Sequence, residues 1–388
     1  MKLIFIIFIN MLMASTALAL DGTEYSLIQT PDQKIHIVKI DLNNYDITLK
    51  SAHNGVFGRE KIGDIAAREN ASIAINAGFF QIGDNEDGRP TGTLIIDGNL
   101  FGLRTTKHAV FALRNQVPSV ETWQPSIELE LGKTKIIPKK FNKFATNSNI
   151  ILYSDKWGPT TLTPYKSRKE ITINEERRVT NIADHGNNPI PSKGYVLSLP
   201  QDAVIYSIKL GDHVTFNNDE YAIFDKKTSA VMGIPFLIMN DAINDDLADT
   251  EKHARTAIGV DRDGKIIIVV AECVYTKSLS SLTLKETQGI FQKNNISLND
   301  LKITDVKKLL AKELSNDSTA TGLTIKELAD LMQELGCTSA INLDGGGSSS
   351  LYIDGKYINQ SIGDKDEGEG TAQVRPVSEA IIFKRKAE

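Results

Sequence analysis

The pattern of apolar and polar positions predicts strands and one short helix at the start of the chain. Apolar and polar residues alternate over residues 25–49, with a turn at 41–44, which is typical of a β-hairpin. Residues 62–69 have the apolar spacing of a helix, and residues 72–75 after them, Ser-Ile-Ala-Ile, have the pattern of a strand. That strand is followed by a loop containing glycine and two aromatic residues.

The same order of elements occurs again near the other end of the chain. Residues 324–332 form an amphipathic pattern that starts with a Thr-x-x-Glu capping box and stops at Gly336. The predicted strand 339–343 and a glycine loop follow. Residues 62–80 likewise give a helix, an Ala-Ile-Asn strand and a glycine loop, which suggests a degenerate internal repeat. Chance similarity between common residues is the alternative.

The middle of the chain has a different pattern. Residues 125–230 alternate short apolar runs with Pro, Gly and Asn, which predicts an inserted β-rich lobe without helices. Residues 255–271 predict a second hairpin, and the polar stretch 276–320 predicts another insertion with one helix, near 306–314. We therefore expect one α+β domain over residues 20–388, with mixed or antiparallel sheets and packed helices.

The first residues have the features of a targeting segment. Lys2 precedes the apolar run 3–12, and Ala17-Leu18-Ala19 matches the A-x-A pattern of a cleavage site. We predict a signal peptide over residues 1–19 and an exported protein, periplasmic or extracellular. An N-terminal membrane anchor is the alternative. No later apolar run is long enough to span a bilayer, so no stable membrane span is expected after cleavage.

Composition narrows the classes of partner. The 388 residues include 44 Lys and Arg against 49 Asp and Glu, a formal net charge of −5, and no long basic run, which argues against nucleic-acid binding. An anionic small molecule would then be bound by a few local arginines. Cys273 and Cys337 are compatible with one disulfide or with two buried thiols, and their spacing fits no metal site.

A glycine loop at residues 344–350 is the strongest candidate site. Asp344 ends a predicted strand, where it can serve as a general acid or base or as a metal ligand. Consecutive glycine N–H groups can form an anion nest, and serine hydroxyls can donate to a phosphate or sugar oxygen. A flexible turn with a capping Asp is the alternative. The candidate binding residues after Asp344 are Gly345, Gly346, Gly347, Ser348 and Ser349.

Three other segments supply candidate side chains. Asn76, Gly78 and Phe79 offer an amide and an aromatic face to a sugar, the alternative being a plain turn with core aromatics. Arg255 and Arg375 each stand near the start of a predicted strand, where the planar guanidinium could clamp a phosphate or form a surface ion pair. His253 can titrate beside Arg255, or it is a solvated charge. Thr256 is a further candidate binding residue, next to Arg255.

Five motifs lie in order over about residues 60–385: Asn76-Ala-Gly78-Phe79-Phe80, Arg255-Thr256-Ala-Ile-Gly259, Gly322-Leu-Thr324-Ile-Lys-Glu327-Leu-Ala329, Asn342-Leu-Asp344-Gly-Gly-Gly-Ser348-Ser349 and Arg375-Pro-Val377. This set resembles the phosphodiester glycosidase family. The resemblance implies a mixed α/β domain that hydrolyses a sugar-1-phosphodiester, such as an N-acetylglucosamine-1-phosphodiester, to free sugar and a phosphomonoester. It places these residues at the site: Asn76, Arg255, Asp344, Gly345, Gly346, Ser348 and Arg375.

The chain also departs from the family pattern. Residues 232–236 read Met-Gly-Ile-Pro-Phe where members often carry Gly-Gly-Pro, and residues 271–273 read Ala-Glu-Cys where Asp-Gly-Arg is frequent. These departures motivate a second hypothesis, a non-catalytic protein of the same fold that binds polysaccharide or accompanies exopolysaccharide at a surface. A third hypothesis is a phosphodiesterase that cleaves P–O with one divalent cation held by Asp344. No other cofactor is expected.

The mechanistic hypothesis assigns a role to each candidate. Arg255 and Arg375 bind the phosphodiester, the glycine-loop N–H groups support charge on the leaving phosphate, and Asp344 acts as acid or base at the anomeric carbon. The phosphate is already a fair leaving group, so less acid catalysis is required than in a glycosidase with a carboxylate pair. The residues available to activate water are His253, Glu272 and Asp97, and the sequence leaves the choice among them open.

Overall fold

The computed structural model describes residues 22–29, 33–55, 57–146, 148–204, 208–218, 227–247, 251–273, 283–293, 306, 310, 322–359 and 374–387. The predicted signal peptide, residues 1–19, lies outside this part of the chain, as does most of the predicted insertion 276–320 and its helix near 306–314. Within the described residues, no helix has the length and apolar character needed to cross a membrane.

The elements fall along the chain as follows. The helices are α1 (Ile62–Glu69), α2 (Leu284–Lys293) and α3 (Ile325–Glu334). The strands before residue 125 are β1 (Thr23–Gln29), β2 (Lys34–Ile40), β3 (Tyr45–Ser51), β4 (Ile73–Asn76), β5 (Leu94–Ile96), β6 (Asn99–Gly102), β7 (His108–Arg114) and β8 (Val117–Trp123). The next strands are β9 (Ile127–Leu131), β10 (Thr134–Ile136), β11 (Lys140–Phe141), β12 (Ile151–Ser154), β13 (Arg168–Ile173), β14 (Val179–Ala183), β15 (Tyr195–Pro200) and β16 (Val214–Asn218). The last are β17 (Thr228–Gly233), β18 (Phe236–Met239), β19 (Ala242–Ile243), β20 (Arg255–Asp261), β21 (Ile266–Ala271), β22 (Cys337–Asn342), β23 (Leu351–Ile353), β24 (Lys356–Tyr357) and β25 (Glu379–Arg385).

These strands form five sheets in the described part of the chain. The large sheet has the order β1-β2-β21-β20-β22-β18-β19, and the terminal sheet has the order β24-β23-β4-β25-β3. The third sheet has the order β6-β5-β17-β7-β8. The remaining two have the orders β10-β9-β16 and β11-β12-β15-β13-β14. Neighbouring strands run antiparallel except β11 and β12, which are parallel.

The main apolar core lies between the large sheet, the terminal sheet and the third sheet. It includes Ile258 and Ile341 from the large sheet, Ile381 from the terminal sheet and Phe111 from the third sheet, each with no exposed surface. Helix α3 covers the other face of the large sheet, and α1 covers the other face of the terminal sheet. Because the helices lie outside, the ends of the large and terminal sheets meet without a helix between them.

The remaining two sheets, β10-β9-β16 and β11-β12-β15-β13-β14, draw all of their strands from residues 127–218, which we call the 127–218 region. Their core packs on the outer face of the third sheet, and a separate small cluster surrounds Trp157. The prediction of a β-rich segment agrees with this arrangement. Its status as an insertion over 125–230 and the internal repeat stay predictions.

Local sequence patterns predicted the helices and strands better than they predicted which strands pair with each other. The capping box is confirmed, since Thr324 accepts from the N–H of Glu327 and the Glu327 carboxylate accepts from the N–H of Thr324. The hairpin of β20 and β21 is confirmed too. The hairpin predicted over residues 25–49 is wrong, because the strands on either side of the turn at 41–44 do not pair. Strand β2 pairs with β1 and β21, whereas β3 pairs with β25. Alternation identifies a strand but carries no information on which distant strand borders it.

Candidate active site

Asn76, the last residue of β4, connects the two sheets that meet at the site. Its side chain is fully buried. The amide Nδ2 donates to the main-chain oxygen of Asp344 at 2.7 Å. The amide Oδ1 accepts from the Thr256 hydroxyl at 2.8 Å and from the N–H of Ser350 at 3.0 Å. Every one of these bonds joins segments far apart in sequence, so Asn76 holds the glycine loop against β4 and β20.

Ala77 and Gly78 lie between two carboxylate-bearing segments. The N–H of Asp344 donates to the Ala77 oxygen at 3.0 Å, and the Ala77 N–H donates to the Glu379 main-chain oxygen at 3.2 Å. A Cβ at Gly78 would lie 2.6 Å from Val231 Cγ2 and 2.7 Å from Glu379 Oε1. Only glycine therefore allows Glu379 to approach this loop so closely.

Asp344 is the acidic group at the centre of the site. Its carboxylate accepts from the N–H of Gly345 at 3.0 Å and from the Ser348 side chain. Burial raises the pKa of Asp344 to about 6, while the bonds from Ser348 and Gly345 and the positive charge of Arg375 oppose that rise. An acid with such a pKa exchanges a proton near neutral pH, as a general acid or base must.

The glycine loop uses its N–H groups to hold itself in place. Gly345 N–H is bonded to Asp344, and Gly346 N–H donates to the Ala254 oxygen at 2.9 Å. The N–H groups of Ser348 and Ser349 donate to oxygens within the loop. A Cβ at Gly345 would lie 2.7 Å from the Ala254 oxygen, so close packing against β20 requires glycine here. These four N–H groups therefore already have acceptors, and the predicted anion nest stays a prediction.

Arg375 brings positive charge to the same place. Its Nη1 donates to the Ser348 hydroxyl at 3.2 Å, and its charge acts on Asp344. Burial lowers the pKa of the Arg375 guanidinium, Asp344 counteracts this, and the positive charge of Arg59 adds to it. An arginine with a second arginine nearby is a favourable place for a doubly charged anion such as phosphate.

Glu379 is the site residue that the sequence reasoning missed. Its side chain is buried at the start of β25, where the N–H of Gly78 and the hydroxyl of Ser378 donate to the carboxylate. Burial, and secondly the charge of Asp344, raise the pKa of Glu379 to about 8. The available signal was an acid directly before the apolar run Ala-Ile-Ile-Phe, since acids are rarely buried without a specific role.

The Arg255 and His253 side chains have hydrogen-bond partners outside the glycine loop. The Nε of Arg255 donates to the Leu323 oxygen and its Nη2 to the Glu251 oxygen, both at 3.1 Å. His253 is exposed, and its Nε2 lies 3.2 Å from the Glu251 carboxylate. The phosphate-binding and catalytic roles predicted for Arg255 and His253 stay predictions.

The other candidates for water activation have partners of their own. Glu272 is buried and binds His36 Nε2 at 2.8 Å and Lys34 Nζ at 2.9 Å. Asp97 lies beside Ser229, whose hydroxyl accepts from the Asp97 N–H at 2.9 Å. The charge of Asp344 contributes to the raised pKa of Glu379, after burial. The Phe79 side chain is half-buried next to Gly78.

No group of three or more His, Cys, Asp or Glu side chains with metal-binding geometry occurs among the residues that the structure describes. Cys273 and Cys337 are both buried free thiols. The possibility of a single divalent cation at Asp344 stays open.

Comparison with known proteins gives a family and several relatives. The family model described as phosphodiester glycosidase matches residues 167–298 and 309–384, which include Asp344, Arg375 and Glu379 but leave out Asn76. An uncharacterized protein of Rickettsia conorii is 36% identical over 280 residues, covering 69% of this chain and 99% of the relative.

Two solved structures share the fold. A hypothetical protein from Synechocystis has a TM-score of 0.68 at 19% identity, over 94% of this chain and 62% of that chain. The present chain therefore spans less than two thirds of that protein's length. A protein from Burkholderia pseudomallei K96243, whose name describes it as exported, has a TM-score of 0.64 at 18% identity, over 93% of this chain and 74% of that chain.

Proposed function

Because the chain belongs to the phosphodiester glycosidase family, we propose that it is a hydrolase of sugar-1-phosphodiesters. Its substrate resembles an N-acetylglucosamine-1-phosphodiester, and its products are the free sugar and a phosphomonoester. The observation that carries the proposal is the meeting of an acid, a hydroxyl and an arginine, Asp344, Ser348 and Arg375, at the junction of two sheets.

Arg375 and Ser348 are the groups that we assign to the phosphate. The guanidinium supplies charge, and the Ser348 hydroxyl, which donates to Asp344 in this structure, turns its proton to the phosphate when substrate binds. Arg255 and the N–H groups of Gly345 and Gly346, which the sequence also assigned to the phosphate, are bonded to protein oxygens. We therefore propose that the two glycine N–H groups hold the loop in place, that Arg255 ties Glu251 to Leu323, and that Arg375 makes the principal contact with the phosphodiester.

Asp344 acts on the anomeric side of the scissile bond. It accepts a proton from the attacking water, whose oxygen ends on the anomeric carbon. The electron pair of the C–O bond leaves with the phosphate oxygen, next to Arg375. A pKa of about 6 leaves Asp344 mostly ionised at neutral pH, which suits a base. Asn76 is a positioning residue, because its amide holds the main chain of Asp344.

Glu379 supports Asp344 by remaining protonated. With a pKa of about 8, its carboxyl is mostly neutral at pH 7, so it adds no second negative charge beside the base. Ionisation of Glu379 at higher pH would place two like charges in a buried site and repel the phosphate. We assign Glu379 a positioning and electrostatic role, because its buried side chain contacts Gly78 and Ser378.

We also propose that the protein is exported to the periplasm or beyond. The apolar N-terminal run with its Ala-Leu-Ala ending supports this, as does the name of the Burkholderia protein of the same fold.

We further propose that residues 125–230 are an inserted lobe and that the chain contains a degenerate internal repeat. The units α1–β4 and α3–β22 each lead a strand to the site, β4 ending at Asn76 and β22 ending at Asn342, just before Asp344.

The test is hydrolysis of N-acetylglucosamine-1-phospho-6-mannose by the purified protein in oxygen-18 water, followed by phosphorus NMR and product masses. Label in the freed sugar supports C–O cleavage and the glycosidase function. Label in the phosphate would show P–O cleavage, and loss of that activity with a chelator would assign it to a metal-dependent phosphodiesterase. Binding without turnover across a panel of sugar donors would favour the non-catalytic polysaccharide-binding protein.

A further inference from the structure

A pocket of about 410 Å³ lies between the segment around Phe57 and two loops of the 127–218 region. Its size falls within the range of about 300–1,000 Å³ that small-molecule sites occupy. The loop walls come from residues 155–159 and 190–192, which are joined by the bond from the Ile190 N–H to the Pro159 oxygen at 2.9 Å.

The aromatic wall of the pocket is fixed by a stack of side chains. The guanidinium carbon of Arg89 lies 4.1 Å from the centre of the Phe57 ring and 3.6 Å from that of the Trp157 ring. Arg89 Nη1 also donates to the Trp157 oxygen at 3.1 Å. The Phe57 ring is thus held in place before any ligand arrives, which reduces the entropy lost on binding.

The other walls combine apolar and polar groups. Pro159 and Ile190 add apolar surface, while Ser192 is exposed at the rim. Lys156 Nζ lies 3.3 Å from Asp155 Oδ2, and the same carboxylate accepts from the Lys193 N–H at 3.0 Å. A pyranose ring presents C–H faces and hydroxyl edges, and a pocket with one aromatic wall and a charged hydroxyl-binding edge is complementary to it.

Phe57 lies close in the chain to a segment that borders the phosphate side of the site. Glu60 and Val377 form an antiparallel bridge with both N–H to oxygen distances at 2.9 Å. Arg59 is adjacent to Glu60, and its positive charge contributes to lowering the pKa of Arg375. Phe57 therefore stands on the same segment as Arg59, whose charge acts on Arg375, the residue to which we assign the phosphate.

We propose that this pocket binds a saccharide unit on the far side of the phosphate, the part that leaves with the phosphomonoester. This rests on the proposed function, since it places the phosphate at Arg375 and the cleaved sugar at Asp344. The 127–218 region then determines which leaving group is accepted. A second pocket, of about 350 Å³, is lined by Lys227, Thr48 and Gln116 among others and has no aromatic side chain in its lining, so it serves as a control.

Saccharide binding is tested without turnover. Saturation-transfer NMR on the whole protein uses glucose, mannose, galactose and N-acetylglucosamine, with acyclic sorbitol as the control ligand. We expect transfer to at least one cyclic sugar. Phe57→Ala removes the aromatic ring, and Ser192→Phe fills the pocket from an exposed loop. Each variant should reduce the saturation transfer to the sugar or abolish it. Lys227→Ala in the second pocket should leave it unchanged. The proposal would be overturned if the wild-type protein shows no transfer to any cyclic sugar. It would also be overturned if Phe57→Ala and Ser192→Phe both show the same transfer as wild type.

A kinetic comparison links the pocket to the reaction. Two substrates share the sugar-1-phosphate, and one carries a saccharide leaving group where the other carries a methyl group. Phe57→Ala and Lys156→Ala should raise KM for the saccharide ester by about tenfold, the equivalent of about 1.4 kcal/mol, and leave the methyl ester unchanged. An equal rise for both esters would contradict the assignment. If neither ester is hydrolysed, the proposed function fails, while the NMR result still decides whether the pocket binds saccharide.

Discussion

Two clusters, which we call the Arg255 corner and the Arg375 corner, each contain an arginine near the start of a strand, Arg255 at β20 and Arg375 before β25. The sequence gives the two a similar setting, and both were candidate phosphate ligands. In the structure the Arg255 guanidinium donates to main-chain oxygens of Leu323 and Glu251, whereas Arg375 donates to the Ser348 hydroxyl beside Asp344. A main-chain oxygen is a fixed acceptor, while a hydroxyl can rotate toward a ligand. The partners therefore distinguish a structural arginine from one suited to an anion.

The acids at the two corners differ in the same way. Asp344 and Glu379 are removed from water, and their pKa values rise to about 6 and about 8. Glu251 and Glu327 near Arg255 are exposed, with 79% and 41% of their side-chain surface accessible. A buried carboxyl can be tuned by its neighbours because water no longer screens their charges. This contrast predicts that chemistry is confined to the Arg375 corner.

The largest effect is expected from removing the acid at that corner. Asp344→Asn should lower kcat by about 10²- to 10⁴-fold, because it removes proton transfer while keeping the shape of the side chain. The measurement is steady-state hydrolysis with thermal unfolding of the same sample. Glu251→Gln at the other corner is the matched control and should keep its rate. A variant that retains more than about a tenth of the wild-type rate would rule out a catalytic role for Asp344.

The next test separates the two arginines. Arg375→Ala should lower kcat/KM by about 10- to 150-fold, the equivalent of losing a charged hydrogen bond of about 1.5–3 kcal/mol. Arg255→Ala should lower Tm, since two main-chain oxygens lose their donor, and leave kcat/KM within about threefold of wild type. Inhibition by inorganic phosphate, which should weaken only in Arg375→Ala, provides an independent readout. If Arg255→Ala, and not Arg375→Ala, weakens both kcat/KM and phosphate inhibition, Arg255 is the residue that binds the phosphate.

The pH profile of the reaction reports on the paired acids. The rate should rise as Asp344 ionises, near pH 6, and fall as Glu379 ionises, near pH 8. Glu379→Gln stays neutral at all pH values, so it should keep the acidic limb and lose the alkaline one. An unchanged alkaline limb in this variant would show that another group controls it.

The same pKa values fix the sign of the pH effect on stability. Ordinary values are 3.8 for Asp and 4.5 for Glu, so between these and the raised values the folded state binds more protons than the unfolded state. The stabilising contribution of these acids is thus fully present at low pH and is lost as the pH rises through about 6 and about 8. Unfolding followed over this range should show a flatter dependence on pH for Glu379→Gln than for wild type.

The smallest expected effect comes from removing the N-cap of helix α3, which packs beside the Arg255 corner. Thr324 caps α3 directly after Leu323, the residue that receives Arg255. Thr324→Ala should lower the free energy of unfolding by about 1 kcal/mol, the usual cost of losing an N-cap. Its kcat/KM should not change, and Thr324→Ser, which keeps the oxygen, should restore the stability. A loss of activity at constant stability would connect this corner to the reaction.

The sequence predicted well those features that depend on neighbouring residues. The α3 capping box, the β20–β21 hairpin and the existence of the strands β4 and β22 all follow from local patterns. The family resemblance agrees with the family model that matches the chain. Local chemistry was sufficient because caps, turns and strand alternation are encoded within a few residues.

Features that depend on distant contacts were not predicted. Glu379 gave no local sign that Gly78 and Asp344 would lie beside it, because strand pairing brings them together. The Gly346 N–H is occupied by the oxygen of Ala254, the residue just before β20. For the same reason, β3 could not be assigned to β25 from the sequence. In each case the deciding atom comes from the other end of the chain.

The position of β25 has a consequence for how the protein folds. This strand lies between β3 and β4, so its two ladders close loops of nearly the whole chain length. Loop closure over such distances loses much chain entropy before any contact compensates, and folds rich in such contacts form slowly. Glu379 stands on this strand and Arg375 just before it, so we expect catalytic competence to arise late in folding, after the local hairpins. A partly folded chain would carry β3 and β4 with exposed edges and no active site.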